Sequence, residues 1–358
     1  MNYRLYAGIV AAALAAAAAT PAPAQYYKGK TLTMLINFGA GGPTDIEGRI
    51  FARYLPKHLA GEPTVIVANK PGAGGLIGVN YLGGGAVRPD GLTFGFFTMS
   101  PAPPIMDDPA LKVKFSDFAF IAGVSQVTVA YGRKDIPPGI SKPADMAKAT
   151  GVYGAGYNPA NDHDITMVET LSLMGAKFKI VSGFRSANDG NKALMQKEVN
   201  FNTSSMPGYQ SQVVPNIIKP GLAIPLWYMP VAKVDGSYVK SEIMESQGVH
   251  AFSEVYKEAF GKLPTGKTWE TFVLVNNLAS TLRRSILLPK PSPKEAIDEL
   301  RKAFVELASD PKFVAEYERV VQVKPEMVSA EDGQALVDSL NHIDPAVKAS
   351  LKEVAGIK

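Results

Sequence analysis

The N-terminal part of the chain alternates apolar, β-rich runs with segments whose apolar residues recur at helical spacing. Residues 31–38 (TLTMLINF) form an apolar run that ends in a glycine-rich turn, and a helical pattern begins at Thr44. Runs at 65–67 and 92–98 are further predicted strands, and residues 78–82 form a helical region between them. Because strands alternate with helices, the pattern predicts an α/β fold with a parallel sheet.

The same pattern restarts in the middle of the chain. Strand-like runs at 120–131 and 152–153 precede a second glycine turn at 154–156, and a helix is predicted from Asp162 with Gly175 as its C-terminal cap. The chain therefore contains two strand–turn–helix units, each with its own glycine turn. The remaining predicted elements are a short helix at 145–148, a strand at 222–228, a helix at 253–260, a strand at 271–275 and helices at 293–308 and 311–321.

The composition narrows the class of protein. A chain of 358 residues exceeds the ~250 to 300 residues that a single hydrophobic core supports, which predicts two domains. The 37 basic and 33 acidic residues are interspersed, which disfavours a nucleic-acid partner because such binding needs a clustered basic face. The chain contains no cysteine, and this excludes disulfide scaffolds, thiolate metal sites and cysteine nucleophiles.

The first 24 residues have the pattern of an export signal peptide. Arg4 precedes an apolar stretch at 5–19, and a small-x-small sequence ends at Ala24, directly before Gln25. A membrane anchor is the alternative, but the stretch is short, rich in alanine and followed by prolines. Cleavage near Ala24/Gln25 and a periplasmic location are therefore expected.

The first glycine turn carries the most informative local signal. Thr44 and Glu47 have the spacing of a helix-capping box, as do Ser292 and Glu295 further along the chain. Two glycines before Thr44 allow the backbone to approach a ligand closely, and a helix N-terminus offers unpaired N–H groups and a partial positive charge. The turn is thus a candidate carboxylate site, and a well-capped turn without a ligand is the alternative interpretation.

Three motifs relate the chain to a known family. Residues 40–45 (AGGPTD), 69–75 (NKPGAGG) and 88–93 (RPDGLT) closely resemble, in order and spacing, the N-terminal motifs of the tripartite tricarboxylate transporter (TTT) solute-binding receptors, the TctC or Bug family. The resemblance is strong up to the third motif and looser beyond it. It implies a periplasmic binding protein of type II, a Venus flytrap with a mixed or parallel sheet in each of two lobes.

The resemblance also implies how the chain is divided and what it does. Lobe 1 would comprise residues 25–121 and 226–358, and lobe 2 residues 122–225, after a signal peptide at 1–24. Family members close around an organic acid and pass it to a membrane permease with a large and a small subunit. One carboxylate of the ligand is held between the two strand–turn–helix loops, largely by backbone amides.

The family's ligand site is carried over residue by residue. The first loop here consists of Gly41, Gly42, Pro43, Thr44 and Asp45, with Asp45 expected to support the helix start rather than touch the ligand. The second loop departs from the family pattern. Candidates there and elsewhere in the cleft are Gly156, Tyr157, Asn158, His163, Phe38, Ser100, Phe184, Arg185, Thr203 and Ser204.

Two points about the charged residues near the cleft stay open. A guanidinium at Arg185 would clamp a carboxylate with two hydrogen bonds, whereas a solvated loop arginine is the other interpretation. The carboxylates of Asp162 and Asp164 would oppose an anionic ligand unless they point away from it.

Signals for chemistry are weak. Residues 261–268 match the phosphate-binding loop pattern, but a predicted helix precedes them and a predicted strand follows, which is the wrong context for a nucleotide site. No G-x-S-x-G motif occurs, and the four histidines show no triad signature. The sequence at 162–164 is interpreted as a capped helix start rather than a metal site.

The sequence therefore predicts a monomeric periplasmic receptor that captures a mono-, di- or tricarboxylate, aromatic acids included, and delivers it to a TTT permease. No catalysis, cofactor, metal, nucleotide or nucleic acid is expected. A ligand-presenting component of a membrane sensor kinase and an envelope enzyme acting on a carboxylic acid are the alternatives.

Overall fold

The structure, a computed structural model, describes residues 25–232 and 238–357. The predicted signal peptide at 1–24 lies outside the described residues. Among the helices that are described, none combines the length and the apolar character needed to cross a membrane.

Two mixed sheets form the framework. The first consists of the strands β1 (Thr31–Ile36), β2 (Thr64–Asn69), β3 (Thr93–Phe97), β4 (Phe118–Ser125), β12 (Arg284–Pro289) and β13 (Glu326–Val328). Their order across the sheet is β13-β4-β12-β3-β1-β2. Strand β1 pairs in parallel with β2 and β3, whereas β12 is antiparallel to β3 and β4. The parallel half thus carries the first glycine turn.

The second sheet repeats this plan with five strands. These are β5 (Thr128–Arg133), β6 (Val152–Ala155), β7 (Phe178–Val181), β8 (Phe201–Ser205) and β9 (Ala223–Met229). They lie in the order β7-β6-β8-β5-β9, with β6 parallel to β7 and β8. A separate antiparallel pair joins β10 (Val231–Ala232) and β11 (Tyr238–Val239). The predicted α/β fold with a mixed or parallel sheet in each lobe is confirmed.

Helices cover the sheets and follow their strands. The α-helices are α1 (Pro43–Tyr54), α2 (Leu76–Gly83), α3 (Ala102–Met106), α4 (Asp162–Leu173), α5 (Ala187–Met195), α6 (Met206–Gly208), α7 (Glu242–Ser246), α8 (Phe252–Phe260), α9 (Lys267–Thr281), α10 (Lys294–Ala308), α11 (Pro311–Val321), α12 (Ala330–Ser339) and α13 (Pro345–Ala355). Helix α6 continues as a π-helix over Tyr209–Ile218. Short 3-10 helices span Leu55–His58, Ala73–Gly75, Phe115–Asp117, Pro143–Lys148 and Leu340–His342.

The chain passes between the sheets at two places that lie close to the predicted lobe boundaries. It leaves the first sheet after Ser125 and enters the second at Thr128, and it leaves the second after Met229. The boundaries expected at 121/122 and 225/226 fall inside strands β4 and β9. The division into lobes at those residues stays a prediction.

The predicted strand at 271–275 is wrong, because these residues lie in the middle of helix α9. Their β-branched and aromatic side chains favour a strand, but burial at helical spacing overrides that preference. Phe272 packs with the core of the second sheet, whereas Val275 and Leu278 pack with a core cluster of the first. Helix α9 therefore joins the two lobes.

The predicted capping box at Ser292 and Glu295 is also wrong. Helix α10 begins at Lys294 after Pro293, and no side chain caps it. The hydroxyl of Ser292 is buried and has no hydrogen-bond partner among the described residues. The predicted helices at 253–260 and 311–321 are confirmed as α8 and α11, within one residue at each end.

Candidate functional site

A small cavity of about 40 Å³ lies between the two sheets. One water molecule needs ~10 to 15 Å³, so the cavity has room for a few waters. Its walls come from both lobes. The lining residues are Phe38, Pro43, Thr44, Thr98, Thr128, Tyr157, Asn161, Asp162, His163, Ala187, Thr203, Ser204, Ser205, Arg283 and Arg284.

The first glycine loop connects β1 to α1 and ends at the cavity. Gly41 adopts a positive φ of 73°, and its amide donates to the Asp45 carboxylate at 2.9 Å. The Gly42 amide donates to the carbonyl of Gly39 at 3.1 Å. The amides of Thr44 and Asp45, in the first turn of α1, have no acceptor among the described residues. Thr44 lines the cavity, which places this helix N-terminus, with its partial positive charge, beside it.

The Asp45 side chain fixes the shape of this loop. Its carboxylate also accepts hydrogen bonds from Arg49 Nε at 2.8 Å and from Asn69 Nδ2 at 2.9 Å. Burial alone would raise the pKa of Asp45, but the bonds from Arg49, Gly41 and Asn69 outweigh it and lower that pKa below the usual value. Asp45 does not line the cavity.

The predicted capping box at Thr44 and Glu47 is wrong. Gly42 is the N-cap of α1, and no side chain accepts from the helix amides there. The Thr44 hydroxyl instead bonds the Thr98 hydroxyl at 2.8 Å. Glu47 points into the core, where it pairs with Arg284 at 2.6 Å, because a buried cation is a stronger partner for a carboxylate than a backbone amide.

The second glycine loop connects β6 to α4, and its amides are largely bonded already. The Asp162 amide donates to Ser100 Oγ at 2.9 Å, and the His163 amide donates to Asn161 Oδ1 at 3.0 Å. The Gly156 amide donates to the carbonyl of Val181. The helix start at Asp162 is thus capped by Asn161, which agrees with the interpretation of 162–164 as a capped helix start.

Aromatic rings close one side of the cavity. The Tyr157 ring stacks on the His163 imidazole with centroids 3.9 Å apart, and it contacts the Phe38 ring across the cleft at 5.3 Å. Burial raises the pKa of Tyr157 above its usual range, so its hydroxyl stays protonated. His163 Nδ1 lies 3.3 Å from an oxygen of Asp164, and His163 Nε2 is buried without a partner among the described residues.

Two adjacent arginines form the base of the cavity. Arg284 is 1% exposed, and its guanidinium donates to Glu47 Oε2 at 2.6 Å, Thr98 Oγ1 at 2.6 Å and Ser205 Oγ at 2.9 Å. Glu47 and Thr98 belong to the first lobe and Ser205 to the second. Arg284 therefore ties both lobes together where they meet.

Arg283 is bonded much less completely. Its Nη1 lies 3.4 Å from Asp162 Oδ2, and its buried Nε has no partner among the described residues. Burial lowers the pKa of Arg283, and the charge of Asp162 opposes that shift. The residue thus carries a buried cation with unused hydrogen-bonding capacity.

Four of the eleven buried side-chain polar atoms that lack a partner among the described residues belong to residues of this cavity wall. They are Thr128 Oγ1, His163 Nε2, Thr203 Oγ1 and Arg283 Nε. An unsatisfied buried polar group costs ~1 to 3 kcal/mol, so folded proteins rarely contain several together without a use for them. The arrangement is that of a site for a polar ligand.

The structure brings together some of the predicted site residues and not others. Those that line the cavity are Phe38, Pro43, Thr44, Tyr157, His163, Thr203 and Ser204. Those that lie outside its wall are Gly41, Gly42, Asp45, Ser100, Gly156, Asn158, Phe184 and Arg185. Arg185 is exposed to solvent, and Phe184 is half-buried against the core. A ligand contact for this second group stays a prediction.

Arg283 and Arg284 are not among the site residues predicted from the sequence. A signal was available, because two adjacent cations interrupt an apolar helix and an apolar strand, where a charge needs a partner. From the sequence, the carboxylates of Asp162 and Asp164 were expected to oppose an anionic ligand unless they point away from it. In the structure Asp162 faces Arg283, and Asp164 accepts from the amide of Tyr157 and the hydroxyl of Ser182.

Sequence comparison finds two partial relatives. Over 85 residues the chain is 39% identical to protein BugT of Bordetella pertussis, and over 90 residues it is 44% identical to the UPF0065 protein in the gbd 5′ region of Cupriavidus necator. Each alignment covers 24% of this chain, and the chain spans about a quarter of the length of these curated relatives. No family model matches the chain.

Structure comparison covers nearly the whole chain. Periplasmic binding protein BugD superposes with a TM-score of 0.68 at 20% identity, covering 93% of this chain and 99% of BugD. An adipate-bound protein of R. palustris gives a TM-score of 0.67 at 15% identity, covering 91% of this chain and 97% of that one. MatC of Rhodopseudomonas palustris, solved with malate, gives a TM-score of 0.64 at 15% identity, covering 91% of this chain and 98% of MatC.

These superpositions show that the chain has the two-lobed fold of the periplasmic binding proteins. Within that class, the resemblance predicted from the three N-terminal motifs is confirmed, since one similar sequence and one similar structure are both Bug proteins.

Proposed function

We propose that the chain is a periplasmic solute-binding receptor of the Bug and TctC type, which binds an organic carboxylate between its lobes and delivers it to a TTT permease. The observation that carries the proposal is the cavity wall. Thr44, whose amide has no acceptor among the described residues, lines the same cavity as Thr128, His163, Thr203 and Arg283, each of which has an unsatisfied buried polar atom.

A carboxylate matches this wall better than a neutral or cationic solute does. The helix N-terminus favours negative charge, and Arg283 adds a cation with a free N–H. Threonine hydroxyls can donate to the remaining oxygen lone pairs. The structurally similar proteins solved with adipate and with malate support the same ligand class.

Binding then requires the lobes to move. A cavity of about 40 Å³ is too small for a six-carbon acid, so the acid enters when the lobes are apart and closure completes its contacts. Shifting a two-state equilibrium from mostly open to mostly closed takes ~5 kcal/mol of differential affinity. Two or three charge-assisted hydrogen bonds at ~1.5 to 3 kcal/mol each supply that amount.

The first experiment measures binding and closure together. Isothermal titration of the exported protein with adipate, malate, citrate and benzoate is expected to give saturable, one-site binding for at least one acid. Because the chain has no cysteine, Ile77→Cys and Val181→Cys at two exposed positions allow site-specific spin labelling of the two lobes. The distance between the labels is expected to shorten when the acid is added.

Two outcomes would contradict the proposal. One is the absence of binding by every acid of the panel, checked again with small molecules released from protein purified from its native host. The other is conversion of the bound acid into a product during prolonged incubation, which would favour an envelope enzyme over a receptor.

A further inference from the structure

We infer that Arg283 is the counter-ion for a second carboxylate of the ligand, which its unpaired Nε edge would hold while Asp162 stays at Nη1. The inference rests on the proposed function, because it specifies the ligand class of the same cleft. With Arg283 in this role, the receptor would prefer acids with two carboxylates over acids with one.

The contrast between the neighbouring arginines is the starting observation. Arg284 makes three side-chain hydrogen bonds of 2.6 to 2.9 Å, whereas Arg283 has one side-chain partner, Asp162, at 3.4 Å. Both side chains are nearly buried, with exposed fractions of 1% for Arg284 and 10% for Arg283. A buried guanidinium with a long single bond is poorly compensated, and a better-placed carboxylate would stabilise it.

Arg283 has the capacity for a two-pronged contact. Its Nε has no partner among the described residues, while the adjacent Nη1 bonds Asp162. In a guanidinium the Nε–H points away from Nη1 and forms a planar fork with Nη2, which fits both oxygens of one carboxylate. Asp162 bonds Nη1 and leaves the Nε edge unused, so an incoming carboxylate can gain a bond there that Asp162 does not make.

The loop around Asp162 is fixed by contacts other than the one with Arg283. Its backbone amide is fixed by Ser100 Oγ, and the Asn161 side chain before it donates to the carbonyl of Gly74 in the other lobe. The backbone is therefore held independently of the Arg283 contact. Asp162 can therefore keep its place beside Nη1 while a carboxylate occupies the Nε edge of Arg283.

The two anion positions lie on different parts of one cavity wall. Thr44 lines the wall at the start of α1, and Arg283 lies at the base between helix α9 and strand β12. The other charged residues there are already neutralised in pairs, since Glu47 bonds Arg284. A ligand with one carboxylate at the α1 amides and a second at Arg283 would satisfy both positions at once.

The test compares matched acids. Adipate is compared with hexanoate, and malate with 3-hydroxybutyrate, because each pair differs by the replacement of one carboxylate with a methyl group. The wild-type protein is expected to bind at least one diacid ~10-fold or more tightly than its monoacid partner, as measured by isothermal titration.

Variants of Arg283 and Asp162 then test whether these two residues cause the preference for diacids. Arg283→Lys and Arg283→Met are expected to weaken diacid binding ~10-fold or more and to lower the ratio of diacid to monoacid affinity at least ~3-fold. Asp162→Asn keeps the side-chain shape and removes the competing charge, so it is expected to bind the diacid ~3-fold or more tightly. Arg301→Met is the control, since Arg301 bonds the carbonyl of Phe120 and does not line the cavity.

The outcomes separate the two proposals. Equal wild-type affinity for both acids of each pair, or variants that keep the wild-type preference, would overturn the role of Arg283 and leave the receptor function standing. Failure of the wild type to bind any acid would overturn the receptor function itself. If the Arg283 variants do not fold, as judged by circular dichroism, Asp162→Asn decides, and unchanged diacid affinity there overturns the inference.

Discussion

The two glycine loops have the same strand–turn–helix plan but present different chemistry to the cleft. In the first loop the amides of Thr44 and Asp45 have no acceptor among the described residues. The amides of the two preceding glycines are bonded, that of Gly41 to the Asp45 carboxylate and that of Gly42 to the carbonyl of Gly39. In the second loop the helix-start amides of Asp162 and His163 are bonded to protein oxygens.

On the proposed function, the two sides of the cleft would therefore contribute different groups to binding an anion. The first side offers backbone N–H groups and a helix dipole, which bind any carboxylate and carry little specificity. The second side offers side chains, among them Thr128, His163 and Thr203, with unused polar atoms. The side chains of the second lobe, together with Arg283, are therefore where ligand choice is expected to reside.

The largest expected effect is on the free energy of unfolding, and it comes from Arg284, which bonds residues of both lobes. Arg284→Met leaves Glu47 buried without its cation, and breaking a buried ion pair costs ~3 to 5 kcal/mol of the free energy of unfolding. Urea denaturation would measure that loss. The double variant Arg284→Met with Glu47→Gln removes the stranded charge and is expected to regain much of the stability. An equal loss in both variants would show that charge is not the cause.

A smaller effect tests the first side directly. Thr44→Pro removes one unpaired amide as well as the hydroxyl, and it is expected to weaken carboxylate binding ~10-fold or more, equivalent to ~1.4 kcal/mol. Thr44→Val is the matched control, because it keeps the amide and removes only the hydroxyl that bonds Thr98. If titration calorimetry gave both variants the same affinity, the amide would not be part of the site.

The smallest effect concerns the helix behind the second loop. Glu169 in α4 is fully buried, and neither of its carboxylate oxygens has a partner among the described residues. Burial raises the pKa of Glu169 well above its usual value of 4.5. The unfolded chain therefore loses this proton near pH 4.5 while the folded chain keeps it, so the stability present below that pH falls as the pH rises.

Glu169→Gln cannot ionise and should escape this loss. Its melting temperature is expected to exceed that of the wild type by ~2 °C or more at pH 7.5 and to equal it at pH 4. Differential scanning calorimetry at the two pH values measures the effect, and Glu331→Gln on the exposed first turn of α12 is the control. A variant that is less stable at pH 7.5 would show that Glu169 is ionised in the fold.

Local patterns were sufficient for the elements that hold the glycine loops. Strands β1 and β3 and helix α4 were predicted because their apolar spacing and glycine ends are local properties of the sequence. Helix α9 was mistaken for a strand because its core, residues 271–275, is rich in β-branched and aromatic residues. Contacts with both lobes, which no local pattern contains, decide its conformation.

The base of the cavity was missed for a related reason. Arg284 and Glu47 are separated by 237 positions in the sequence, and Arg283 and Asp162 by 121. Only the fold brings these charges together. The capping-box prediction at Thr44 and Glu47 failed on the same ground, since a distant cation competes for the carboxylate.

Helix α9 places side chains in the hydrophobic cores of both lobes, with Phe272 in one and Val275 in the other. Such shared packing restricts the directions in which one lobe can travel relative to its neighbour, because sliding along the helix would tear both cores. Rotation about the axis of helix α9 disturbs the two cores least, so any movement between the lobes is expected to follow that one axis.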